Sequence, residues 1–226
     1  FDIKRECGEN DNYICELIRN DSVEKFIEYI NRHSISLNSV INPSAFETNL
    51  LLIKNKVTII EYAAFYGAIQ IVQYLKYSNV DLNSSLWIYA IHSNNADMIH
   101  FLEENEVDPP KFSYTYCLKE AIKCHHNNIA HYIFDNLMRN NEIIDIKRDY
   151  FENIILYSLH YLNYEFFVDD AENNNVFLYL CQYNQIELVK LFMKCKSIDV
   201  NFMIVYFNLF NNITIYIYIK FIYYIF

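Results

Sequence analysis

Apolar residues in this chain recur at helical spacing in short bursts, and the bursts come in pairs separated by a polar or glycine-bearing turn. Between Thr58 and Asn83 the sequence reads TIIEYAAFYGAIQIVQYLKYSNVDLN. Ile60, Ala63 and Ala64 form a short apolar face, and the two alanines permit close helix approach. Thr58 suits an N-cap, since its hydroxyl oxygen can accept a hydrogen bond from a first-turn N–H. Gly67 stops the helix, because a tight turn there demands positive φ. Ile69, Val72 and Leu75 mark a second helix, and Asn79 sits where it must end, in the left-handed conformation that Asn tolerates. Asp81 and Asn83 suit the turn that follows. The predicted unit is helix, turn, helix, extended finger.

The unit repeats. A shift of 27 residues places Ala63 on Ala90, Ala64 on Ile91, Val72 on Ile99, Leu75 on Leu102 and Asp81 on Asp108. A further shift of 31 places Ala90 on Ala121, Ile91 on Ile122, Met98 on Ile129 and Leu102 on Ile133. Asn175 to Phe192 repeats the pattern near the C-terminus, and Asp199-Val200-Asn201 echoes Asp81-Leu82-Asn83. Glu16 to Asn38 reads as a degenerate first copy, with Phe26, Ile27 and Ile30 on its second helix. The turn position runs Gly67, Asn94, His125, Asn184, all residue types enriched at positive φ. Between Asn136 and Asn174 the period weakens, and NIILYSLHYLNYEFF (Asn153 to Phe167) reads as a half-repeat or irregular insertion.

The segment from Thr58 to Asn83 resembles an ankyrin repeat without a gap. TIIEYAA stands where that family carries Thr-Pro-Leu-His-x-Ala-Ala, and GAIQIVQYL and VDLN follow at the family spacing. The first-helix Pro and His of the family are missing, and most turn glycines are replaced by Asn or His. YICELIRNDSVEKFIEYI, SLWIYAIHSNNADMIHFLEENEVDPP and CLKEAIKCHHNNIAHYI resemble more closely the diverged ankyrin proteins of protists that open with an ankyrin-like domain of unknown function. The resemblance runs over residues 7–201. It implies an all-α, ankyrin-like helix-turn-helix repeat solenoid of about five helix pairs, with the irregular half-repeat and an atypical apolar C-terminal tail. The expected organisation is a degenerate helical repeat and linker over 1–57, three repeats over 58–135, the half-repeat and a further repeat over 136–201, and the tail over 202–226.

Charge and composition narrow the partners. The net charge of −10 and pI near 5.1 argue against binding nucleic acid or an anionic membrane, which needs clustered Lys and Arg. Hydrophobic content of 53% excludes a wholly disordered chain. The abundant Ile, Asn, Tyr, Phe and Lys share A/T-only codons, so nucleotide bias accounts for the many aromatics without a binding surface. The tail, FMIVYFNLFNNITIYIYIKFIYYIF, carries one charge, Lys220. Asn208, Asn211 and Asn212 interrupt it short of the roughly 20 apolar residues of a membrane helix, and ITIYIYI alternates like a strand. It is read as an anchor, as a packed C-terminal element, or as a segment that is not native-like.

Candidate chemistry is sparse. The six cysteines (Cys7, Cys15, Cys117, Cys124, Cys181, Cys195) show no CxxC spacing, and reduced core thiols are expected rather than disulfides. Cys117, Cys124, His125, His126 and His131 form the densest set of potential ligands, with the two cysteines seven apart and hence on one helical face. Repeat positions explain the same residues, so no metal and no cofactor is expected. No G-x-S-x-G, H-E-x-x-H or phosphate-cradling loop is present, and two glycines in the chain make a nucleotide loop implausible. A Cys–His pair meeting in space stays open. Glu103-Glu104 reads as a solvated face, and Trp87, two places after the cap-like Ser85, as core.

The resemblance implies a non-enzymatic protein-binding scaffold that meets its partner through the fingers and the exposed end of each first helix. Carried onto this sequence, those helix ends are Phe65 and Tyr66, His92 and Ser93, Lys123 and Cys124, and Gln182 and Tyr183. Stacked copies would set these pairs along one continuous surface. Protein partners and no nucleic acid are expected, with a membrane only if the tail serves as anchor. The alternatives are such a tethered adaptor, or the binding module of a longer protein. The expected compartment is cytoplasmic, although a chain beginning at Phe1 leaves targeting unjudged.

Overall fold

Among the described residues the apolar bursts become α-helices of five to ten residues, too short to stand alone in water and held by their neighbours. The computed structural model describes residues 8–138, 154, 156–167, 180, 183 and 185–195, and the chain divides into two units, Phe1–Asn141 and Glu142–Phe226. In the first unit the helices are α1 (Tyr13–Arg19), α2 (Val23–Arg32), α3 (Leu50–Lys54), α4 (Ile59–Phe65), α5 (Ile69–Tyr77), α6 (Leu86–Ser93), α7 (Ala96–Glu104), α8 (Thr115–Lys123) and α9 (Asn127–Tyr132). The last runs on into a π-helical stretch, Ile133–Met138. Among the described residues there is no strand, only an isolated antiparallel bridge from Val40 to Thr58. The protein is all-α.

The first helix of each pair packs on the first helix of the next, α1 on α4, α4 on α6 and α6 on α8. Each also packs on the helix that follows it, and α2 packs on α5. The positions related by the shifts of 27 and 31 form the core: Ala63, Ala90 and Ala121 are fully buried, as are Ala64, Ile91 and Ile122. Val72 and Ile99, Leu75 and Leu102, and Met98 and Ile129 are buried with them. The narrow apolar face expected for α4 proves too narrow, because every residue from Ile59 to Ala64 is buried. A helix flanked on both sides and backed by its own partner has little surface left for solvent. Ile27 departs from expectation in the other direction: Phe26 and Ile30 enter the core, while Ile27 is half-buried.

Turn chemistry follows the predicted series and extends it. Gly67, Asn94 and His125 have φ of +68°, +51° and +57°. Asp21, between α1 and α2, takes the same place with φ +45°. Its carboxylate oxygens accept from the N–H groups of Gln70 and Ile71, both at 3.0 Å, and so cap the N-terminus of α5 in the neighbouring pair. The ends of the second helices show the same device in Ser34 (+51°), Asn79 (+62°) and Glu106 (+52°). Glu106 is exposed and occupies the place 27 residues after Asn79, where a Cβ is strained. Glu106→Gly is expected to raise stability by about 0.5–1 kcal/mol, seen as a higher urea midpoint with an unchanged m-value.

Thr58 caps α4 as expected, and Glu61 completes a capping box that the sequence reading missed. The Glu61 N–H donates to Thr58 Oγ1 at 3.4 Å, and the Thr58 N–H donates to Glu61 Oε2 at 2.8 Å. Thr58→Ala is expected to cost about 1–2 kcal/mol, measured by urea unfolding; a cost indistinguishable from zero would count against the box. Ser85 is not a side-chain cap for α6. Asn83 Oδ1 accepts from the Ser85 N–H at 3.1 Å, and the Ser85 hydroxyl reaches Glu61 at 2.5 Å in the preceding pair. Residues 80–83, the predicted finger, have no regular structure. The expected linker contains α3 and is tied to the start of α4 by Ile41 N–H to Val57 O (2.8 Å) and Ile59 N–H to Ser39 O (3.0 Å).

In the second unit, residues 156–160 are helical, Tyr164–Phe167 forms a 3-10 turn and α10 spans Ile186–Cys195. Leu180 and Val189 are buried. The second helix of the last predicted copy is thus present, while Asn184, Asp199-Val200-Asn201 and the 202–226 tail lie outside the described residues. No helix among the described residues is long and apolar enough to cross a membrane.

Candidate functional site

A left-handed residue closes the first helix of each pair in the first unit, so the two residues before it hold corresponding places from pair to pair. Counting back from Asp21, Gly67, Asn94 and His125 gives Arg19, Phe65, His92 and Lys123, followed by Asn20, Tyr66, Ser93 and Cys124. Six of the eight sequence-predicted residues fall here, and the structure brings several together. The Phe65 and His92 rings stack at 5.3 Å and 23°, and the Phe65 ring meets Tyr66 edge-on at 5.0 Å. Cys124 Sγ lies 3.7 Å from His92 Nε2 and equally 3.7 Å from Nδ1. Ser93 turns inward instead: its hydroxyl donates to Ala90 O at 2.6 Å and accepts from the Asn95 N–H. Tyr183 is half-buried in the second unit, and Gln182 lies outside the described residues.

Two residues of this edge were not anticipated. Glu120, one turn before Lys123 on α8, joins His92 Nε2 at 2.8 Å and accepts from Lys123 Nζ at 2.6 Å. Burial pushes the Glu120 carboxyl up, but the hydrogen bonds from His92 and Lys123 outweigh it and hold it below the usual carboxylate value. Arg19 on α1 donates to Tyr62 Oη at 3.0 Å and to Asn10 O at 2.8 Å, pairs with Glu9 at 2.9 Å and lies over the Tyr66 ring at 5.9 Å. Relative to their turns, Arg19 and Tyr62 hold the same two positions as His92 and Glu120. The contact is a register mark: the last turn of one first helix reaches the middle of the next. An acid at i−3 from Lys123 was the available signal for Glu120, and Asp21 as a turn residue was the signal for Arg19.

The densest set of potential ligands in the sequence, which repeat positions were expected to explain, does not come together as one group among the described residues. Cys117 is fully buried in α8, whereas Cys124 lies past its end, so the two do not share a helical face in use. His126 Nδ1 is 2.7 Å from Ile91 O, which ties the turn to α6. Among the described residues the group able to hold a metal is His92, Glu120 and Cys124, whose donor atoms lie within 4.8 Å of one another. Cys15, Cys117 and Cys124 are free thiols, and burial pushes them up to about 12, 12 and 11. Such thiols are poor nucleophiles at neutral pH. Cys124, equidistant from both ring nitrogens, is aligned with neither as a base would require. Glu103 is not simply solvated, since it accepts from Tyr132 Oη at 2.6 Å. Trp87 is core as expected, fully buried with its Nε1–H donating to Val107 O at 2.8 Å.

The protein is therefore all-α, and its first unit is a set of helix pairs with neighbouring first helices in contact and a polar-aromatic edge at their ends. No protein-family model, no curated protein and no solved structure matches the chain.

Proposed function

We propose that the chain is an ankyrin-like solenoid that works as a non-enzymatic scaffold, holding a protein partner along the edge that runs from Arg19 and Tyr66 through Phe65 and His92 to Lys123. The observation that carries this reading is continuity. Side chains from four successive first helices touch in sequence, and the strip's Arg19, Phe65 and Tyr66 are of residue types enriched at interface centres, with Glu120 and Lys123 at the polar end. A fixed turn at each pair keeps the strip in register, so its shape is set before a partner arrives, which lowers the ordering cost of association. The protein-facing role also fits a chain with net charge −10.

Affinity purification of the full chain, compared across variants, tests the reading. Phe65→Ala and Lys123→Glu on the strip are expected to lose a protein that the wild type recovers reproducibly. Tyr77→Ser, at a residue 82% exposed on α5 and away from the strip, is expected to keep it. An identical set of recovered proteins from all variants would remove the strip from the interface.

A further inference from the structure

We infer that His92, Glu120 and Cys124 form a binding site for a divalent transition-metal ion of the zinc class. The three residues come from two helix pairs, with His92 on α6 and Glu120 and Cys124 at the end of α8, so the stacking register assembles the site. Their donors are an imidazole nitrogen, a carboxylate oxygen and a thiol sulfur, the mixed set that a borderline-soft ion accepts and that Mg²⁺ or Ca²⁺ does not prefer. Bonds of about 2.0–2.3 Å place tetrahedral zinc ligands roughly 3.3–3.8 Å apart. The Cys124 Sγ to His92 Nε2 distance of 3.7 Å falls in that range, but Sγ is equally far from Nδ1 and has to swing toward the Nε2 lone pair, while the 2.8 Å contact of His92 with Glu120 has to open by about 0.5 Å.

The surroundings suit the role. His92 and Glu120 are 15% and 18% exposed, enough to admit an ion while shedding most bulk water. The stacked Phe65 ring holds the imidazole plane. Three protein ligands leave a fourth position for a donor from outside the chain. On binding, the Cys124 S–H bond breaks, its proton passes to solvent and a metal–sulfur bond forms. The proton that His92 Nε2 holds toward Glu120 is released or carried on Nδ1 instead, so that the Nε2 lone pair meets the ion. Glu120 exchanges the Lys123 ammonium for the metal, and no electron changes hands. Lys123 is thus the ion's competitor for Glu120.

The inference goes beyond the scaffold reading and does not depend on it, because the metal alone is the probe. Full-length protein stripped with chelator is titrated with Zn²⁺, and with Co²⁺ as a spectroscopic stand-in. Stoichiometric binding is expected, with a thiolate-to-Co²⁺ charge-transfer band that disappears in Cys124→Ser. His92→Gln and Glu120→Gln are expected to weaken Zn²⁺ binding at least about ten-fold, Lys123→Gln to strengthen it, and His100→Ala to leave it unchanged. Far-UV circular dichroism checks that each variant remains helical. If His92→Gln does not fold, the opposite signs expected for Glu120→Gln and Lys123→Gln decide the matter. Failure of the wild type to bind stoichiometrically, or a charge-transfer band that survives Cys124→Ser, would overturn the site.

Discussion

Trp87→Ala is expected to destabilise the first unit by about 3–5 kcal/mol, a large part of the stability of a typical domain. Three losses coincide. A fully buried indole is removed from the middle of the helix row, the Val107 carbonyl loses its 2.8 Å donor, and the edge-on contact with Tyr114 at 5.2 Å goes with it. Trp87→Phe keeps most of the volume and should cost about 1–3 kcal/mol, mainly for the orphaned carbonyl. Because Trp87 is the only tryptophan, urea unfolding should be followed by far-UV circular dichroism. A cost below about 1 kcal/mol for Trp87→Ala would contradict its placement in the core.

The second large effect comes from adding atoms. Ala90 is fully buried on α6, the helix that packs on both α4 and α8. Ala90→Leu has nowhere to place its branched end without separating first helices, and is expected to cost about 1–3 kcal/mol. Ala96→Leu makes the same chemical change at an exposed position at the start of α7 and should stay within about 0.5 kcal/mol. The comparison is read from urea midpoints. Equal, small effects at both sites would mean that the alanine line does not set the spacing of the helices.

What the sequence made legible was whatever a single local requirement dictates. Gly67, Asn94 and His125 share a positive φ although their side chains differ, and the alanines at 63, 90 and 121 are all fully buried. Both requirements repeat, so the pattern shows through the changed letters. The capping box stayed hidden because Glu61 reads equally well as a solvent-facing acid. Ser85 was misread because Asn83 already supplies the oxygen that a cap would offer, leaving the serine hydroxyl to reach Glu61.

The candidate edge was half legible for a related reason. Phe65, His92, Lys123 and Cys124 follow from counting along each copy. Glu120 does not, since its meaning lies in the neighbouring copy. Only the stacking register places an α8 carboxylate beside an α6 imidazole. Cys117 and Cys124 are seven apart in the sequence, but one lies inside the helix and the other beyond its end, where helical spacing no longer applies. Residues 39–57 carried no period, yet α3 forms there and the Val40–Thr58 bridge ties the segment to the start of α4.

Asp21 has one more consequence. The amide protons of Gln70 and Ile71 are held by a carboxylate from another helix pair, so their protection does not depend on α5 alone. Whenever the N-terminal pair lifts away, these two amides become exchangeable with solvent deuterium while the rest of α5 stays closed. Their exchange rates are a built-in gauge of how often the end of the helix row comes undone, read from residues nearly fifty positions along the chain.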